Sequence, residues 1–134
     1  MSANLDIIKA FLQEFGCGSI DVALGYLADD ATWSIVQTSR GVTMSKEELG
    51  ARLGIMRSSF KDAKIILTPI GCVEEKDRLS IELESFAETV LGTFYENKYC
   101  TIFTMEGGKI TDVREYNDSL HIAEVLVPAI SSRT

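Results

Sequence analysis

The spacing of apolar residues changes character partway along this chain. Leu5, Ile8, Phe11, Leu12 and Phe15 recur three and four apart, the spacing of one helix face. Gly16 is expected to stop that helix by adopting positive φ. Ser19 caps a second, short helix with Val22, Ala23, Tyr26 and Leu27 on its apolar side, and Asp29-Asp30 ends it. Residues 31–36 hold strand formers, and 37–43 form a polar loop. Ser45-x-x-Glu48 is a capping box, in which each side chain satisfies a free amide at a helix start. It opens a third helix reaching about Phe60, with Leu49, Leu53, Met56 and Phe60 inward.

Beyond residue 64 the period falls to two. Residues 64–73 predict a strand, and Pro69 marks it as an edge or a bulge because it cannot donate to a ladder. A charged turn at 74–77 precedes three long strands, 78–91, 93–105 and 109–118. A last helix over 119–126 stops before Pro128. Helices grouped apart from hairpin-linked strands define an α+β fold with an antiparallel sheet, here one domain over 1–134.

Composition narrows the class. With 46% hydrophobic residues, 25% charged and two prolines, the 134-residue chain predicts a globular protein. A net charge of -7 with scattered cations argues against nucleic acid and anionic membrane as partners. No apolar run approaches the roughly 18 residues that cross a bilayer. Asp6 and Glu14 interrupt the first apolar pattern, so no signal peptide is expected, and cytoplasm is the default location. Cys17, Cys72 and Cys100 are widely spaced and read as free thiols, not a metal or redox site. His121 is the only histidine, leaving a zinc site or a histidine-based triad little to build on.

Side chains alternate across strands, so turn register decides which residues meet. A two-residue turn at Leu91-Gly92 would pair Glu84 with Tyr99 and Phe86 with Asn97. Glu82, Glu84, Phe86, Tyr95, Asn97, Tyr99, Thr101 and Phe103 would then share one face. At the next hairpin, a three-residue loop at 106–108 places Tyr99 opposite Glu115. A two-residue Gly107-Gly108 loop places Tyr116 there, and a bulge can restore either outcome. Glu84 and Glu115 flanking Tyr99 would be an acid–base pair, because close, desolvated carboxylates cannot both ionise easily. The plain alternative is a set of solvated charges, with Glu84 paired to Lys98 or Arg114. Trp33 and Ile35 share a face of the first strand and are pocket-wall candidates.

These residues also carry a resemblance. Residues 7–12, the tract Leu27-Ala28-Asp29-Asp30-Ala31-Thr32-Trp33, Tyr95-x-Asn97-x-Tyr99-x-x-x-Phe103, Gly108-Lys109-Ile110 and Arg114-Glu115-Tyr116-x-Asp118 resemble the nuclear transport factor two superfamily. The similarity is to its SnoaL-like and ketosteroid-isomerase-like branch. It implies a strongly curved sheet wrapped over three N-terminal helices, a cone with an internal apolar pocket, and a dimer through the outer sheet face. Ile81, Leu83, Phe94, Cys100 and Ile102 would carry that outer face.

Followed residue by residue, the resemblance mostly removes known mechanisms. Phe11, Ile35 and Thr101 stand where ketosteroid isomerases need their Tyr, Asp base and protonated Asp. Glu82-x-Glu84 stands where limonene-epoxide hydrolases have Arg-x-Asp, and Trp33, Ile35 and Glu115 stand at their water-holding positions. That match turns Glu115 inward and favours the three-residue loop. The expectation is acid–base chemistry on a small apolar, oxygen-bearing molecule, or ligand binding without chemistry. Glu84, Glu115 and Tyr99 are the catalytic candidates, and Trp33, Ile35, Phe86, Asn97, Thr101 and Phe103 the binding candidates. No metal or organic cofactor is implied.

Overall fold

A computed structural model describes residues 2–133. Helix α1 (Ala3–Cys17) starts at Ser2, whose hydroxyl accepts the Leu5 amide, and buries Ile8, Phe11 and Leu12. Helix α2 (Ile20–Gly25) is capped by Ser19. Helix α3 (Lys46–Ser58) opens on the expected capping box: Ser45 Oγ accepts the Glu48 amide at 3.2 Å, and Glu48 Oε1 accepts the Ser45 amide at 3.0 Å. The strands are β1 (Leu27–Ile35), β2 (Val42–Ser45), β3 (Ile66–Glu75), β4 (Arg78–Glu88), β5 (Phe94–Tyr95), β6 (Lys98–Glu106) and β7 (Lys109–Asn117). They form one curled sheet in the order β2-β1-β7-β6-β4-β3, with β5 on β4. All neighbours are antiparallel except β1 and β7, which run parallel. β3 is an edge strand, and its register shifts between Pro69 and Gly71, where the missing donor leads one to expect a bulge.

Four local expectations change. Gly16 lies inside α1; a Cβ there would run into the carbonyl of Ile65, whose amide bonds Gly16 O at 3.0 Å. Its smallness therefore serves a close approach of helix and chain, not helix termination. Asp29 and Asp30 sit in β1, both exposed, because the strand begins at Leu27 and not after the acidic pair. The expected long strand over 93–105 is broken at Glu96-Asn97 into β5 and β6. The last helix runs past Pro128: α4 (Ser119–His121) continues through a wide π turn (Ile122–Leu126) into α5 (Val127–Ser131). A proline at the start of a helical segment has no intrahelical donor to lose there.

The decisive difference is one residue in a loop. Thr89 and Thr93 close the β4–β5 hairpin, Thr89 N bonding Thr93 O at 2.8 Å. The loop is therefore Val90-Leu91-Gly92, with Gly92 at φ 79°. Three-residue hairpin loops require such a left-handed residue. One extra loop residue turns every β4 side chain to the other face. Leu79, Ile81, Leu83, Ser85 and Ala87 point inward and are buried, while Glu82, Glu84 and Phe86 point outward and are exposed. Ile81 and Leu83 thus belong to the core and not to the outer face. At the β6–β7 hairpin the loop is the two-residue Gly107-Gly108, with Glu106 opposite Lys109. A bulge then shifts the register between Thr104 and Met105, bringing Thr101 opposite Glu115 and Tyr99 opposite Asn117.

Candidate functional site

The curl of the sheet leaves a cavity of about 530 Å³ between its inner face, α1, α3 and the C-terminal helix. That size suits a small organic ligand. Its wall is mostly apolar, with Phe15, Trp33, Leu53, Met56, Leu83 and Phe103 among the residues lining it. Phe15 stacks on Trp33 at 5.3 Å and 8°, and Phe103 meets the indole edge-on at 6.4 Å. The polar groups reaching the cavity come from Trp33, Arg52, Tyr95, Tyr99, Thr101 and Glu115.

Glu115 is the centre of the first polar cluster. Parallel pairing sets Ile35 beside it on β1, and antiparallel pairing sets Thr101 beside it on β6. Its Oε1 accepts the Trp33 indole N–H at 3.0 Å and its Oε2 accepts the Asn117 side-chain amide at 2.7 Å. Among the described residues it has no ion pair; those found join Lys46 to Asp29, Lys61 to Glu88 and Lys98 to Glu84. Burial pushes the Glu115 carboxyl above the usual carboxylate range, and the two neutral hydrogen bonds oppose that only in part.

The second cluster is a chain of hydroxyls. Ser85 Oγ lies 2.9 Å from Tyr99 Oη, which lies 3.0 Å from Tyr95 Oη. Asn97 holds both ends: its backbone N–H donates to Ser85 Oγ at 3.1 Å, and its side-chain amide donates to Tyr95 Oη at 2.9 Å. Three hydroxyl protons serve two links between these oxygens, so one proton is left to point off the chain. Burial raises the Tyr95 pKa, and it raises that of Tyr99 further, so both phenols remain donors at neutral pH. Thr101 is buried against the cavity.

The structure therefore brings Trp33, Ile35, Tyr99, Thr101, Phe103 and Glu115 together at the cavity. Asn97 stands just behind them, 2% exposed and tying Tyr95 to the Asp118 carbonyl. Glu84 and Phe86 are corrections. Glu84 lies outside, ion-paired with Lys98 at 3.1 Å, and Phe86 stacks on Phe94 at 5.9 Å on the outer surface. No pair of glutamates flanks Tyr99. Tyr95 and Ser85 join the site through the inner-face alternation of β5 and β4. Ile122, Leu126, Val127 and Ile130 roof the cavity from a helix that the sequence pattern ends before Pro128.

No protein-family model and no curated protein sequence matches the chain. Solved structures do. PrhC from Penicillium brasilianum overlays with a TM-score of 0.85 at 12% identity, covering 98% of this chain and 89% of that one. An NTF2-like protein of unknown function from Burkholderia pseudomallei gives 0.80 at 18% identity, with 94% and 98% covered. A protein from Jannaschia sp. assigned as a SnoaL-like polyketide cyclase gives 0.74 at 15% identity, with 92% and 91% covered. The chain has the NTF2-like cone fold, which ketosteroid-isomerase-like proteins share. At such identities the likeness defines the fold and leaves activity to the site.

Proposed function

We propose that this protein is an acid–base enzyme acting on a small apolar molecule that bears a carbonyl or hydroxyl group, with Glu115 as the proton-transferring group. One observation carries the reading: the Glu115 carboxyl sits in the wall of an apolar cavity, held by two neutral donors and no cation. A carboxyl so placed has its pKa moved toward neutrality, where a general acid or base is most effective. The Ser85–Tyr99–Tyr95 chain supplies a hydroxyl donor for a substrate oxygen on which negative charge develops. Trp33, Ile35 and Phe103 form the apolar wall.

A substrate-independent assay tests this. The α-protons of 2-tetralone exchange with D2O when a base removes them and a donor holds the enolate oxygen. The wild type is expected to accelerate that exchange, and Glu115→Gln to lose roughly 10²-fold or more of the acceleration. Exchange no faster than in buffer, with 2-tetralone bound, would leave a ligand-binding module without chemistry, and equal acceleration by both proteins would remove Glu115 as the base.

Association is a separate part of the reading. Ile66, Phe86 and Phe94 are all exposed on the outer sheet face, 55%, 44% and 53% respectively. Such an apolar patch favours a homodimer. Light scattering is expected to give twice the 14.8 kDa chain mass, and a monomer at micromolar concentration would remove this element.

A further inference from the structure

Among the residues lining the cavity, Arg52 is the one whose charge the acid–base reading leaves unused. It projects from α3 to the cavity rim, exposed to solvent, and it has no hydrogen bond and no ion pair within 4 Å among the described residues. The nearest acid in sequence is Glu48, one helical turn before it. That carboxylate is held in the capping box, accepting the Ser45 amide at 3.0 Å, and it feels the Arg52 charge through space without a bond to it. The other two cations of α3 are engaged. Lys46 bonds the Leu27 carbonyl and faces Asp29, and Arg57 donates to the Gly18 and Ala63 carbonyls. A guanidinium bonded to no acid, at the mouth of an apolar cavity, is a fork-shaped donor set matched to a carboxylate or another acidic oxygen pair.

The remaining polar wall is compatible with an anion at the rim. Glu115 is pushed toward its neutral form, and Tyr95, Tyr99 and Thr101 are hydroxyls. No other acidic residue lines the cavity. The net charge of -7 repels anions at long range, but that field is screened beyond roughly 8 Å in physiological salt, leaving the rim cation to act locally.

We infer that the ligand is an amphipathic acid: its apolar body fills the cavity and its carboxylate, or a comparably acidic enol, is held at the mouth by Arg52. This rests on the proposed ligand-binding role of the cavity and specifies the class of molecule taken. Arg52 is a specificity-determining residue in it, not a group at the reacting atoms.

Decanoate and decanol are a matched pair for the test. Trp33 is the only tryptophan, so its emission reports occupancy of the cavity wall directly, and calorimetry checks the stoichiometry. Decanoate is expected to bind the wild type more tightly than decanol. Arg52→Gln should weaken decanoate about 10-fold and leave decanol unchanged, the loss typical of a hydrogen bond to a charged group. Arg52→Lys should recover part of the loss, since it keeps the charge without the fork. Equal affinity for acid and alcohol in the wild type overturns the inference while the cavity reading stands, as does an equal loss of both in Arg52→Gln. If neither compound perturbs Trp33 or gives a calorimetric signal, the inference falls together with the cavity's role in binding.

Discussion

Glu115 departs most from what its own side chain would choose. A carboxylate ordinarily stays in water or pairs with a cation, and this one is held by an indole and an amide in an apolar wall. The consequence for stability has a definite sign. Its folded-state pKa is raised above the 4.5 of an unperturbed glutamate. Below pH 4.5 both states hold the proton and there is no penalty. As pH rises through 4.5 the unfolded state ionises first, so stability falls until the folded pKa is passed, and it then levels off. Every tenfold gain in the carboxyl's proton affinity on folding costs about 1.4 kcal/mol at high pH. Glu115→Gln has no such ionisation, although it sets its own amide against that of Asn117 at every pH. The difference in melting temperature, variant minus wild type, is therefore expected to move in the variant's favour between pH 4 and pH 8. The wild type's Trp33 emission should titrate over the same interval, and that titration should vanish in the variant. A flat difference across the interval would show that the carboxyl is not perturbed by folding.

The β4–β5 hairpin shows how a single loop residue decides a site. Gly92 holds φ 79°, a conformation that costs an L side chain about 1 kcal/mol or more. There is open space around it, so Gly92→Ala is expected to destabilise by roughly that amount through backbone strain alone. Chemical denaturation measures it, and an unchanged midpoint would mean that the loop adopts another turn. The same loop separates what was legible in the sequence from what was not. The strands that begin at Arg78 and Lys109, the capping box at Ser45 and the edge or bulge marked by Pro69 follow from local chemistry, and all could be read. Register is not local: counting two loop residues instead of three sent Glu84 and Phe86 inward. The alternation of Leu79, Ile81 and Leu83 with Ser80, Glu82 and Glu84 held the correct answer, because a curled sheet puts its apolar set on the concave side. Glu115 came out inward although its loop has two residues, because the bulge before Asp112 restored the parity. The roof from the C-terminal helix was missed for a different reason. Pro128 ends a helix that must donate its amide but not one whose preceding turn is already widened.

At the scale of the molecule, the cavity is a curled sheet roofed by helices from both ends of the chain, and the width of its mouth depends on how firmly each piece is held. The C-terminal helix meets the sheet at an aromatic stack and at an apolar cluster that joins Leu126 to Phe60, Ile65, Ala87 and Tyr95. Tyr95 lies between Phe60, at 5.9 Å and 18°, and His121, at 5.3 Å and 14°. His121 Nε2 also accepts the Glu96 amide at 2.9 Å, in the gap between β5 and β6. Leu126 and Ala129 add buried contacts, but Leu120 and Val127 of the same segment stay 64% and 48% exposed. A segment held by one stack and a small apolar cluster, with part of its apolar surface left in solvent, is the kind that opens as a unit below the global unfolding free energy. His121→Ala removes the stack and the acceptor together. It is expected to speed hydrogen exchange across residues 119–131 while β6 and β7 keep their protection, and to hasten ligand exchange at the cavity. His121→Phe keeps the stack and loses only the acceptor for an exposed amide, so its effect should be the smaller. Global stability should fall by only about 1 kcal/mol in the alanine variant, the typical worth of an aromatic pair. Exchange that rises uniformly over sheet and helix would show instead that the C-terminal segment opens only with the whole fold.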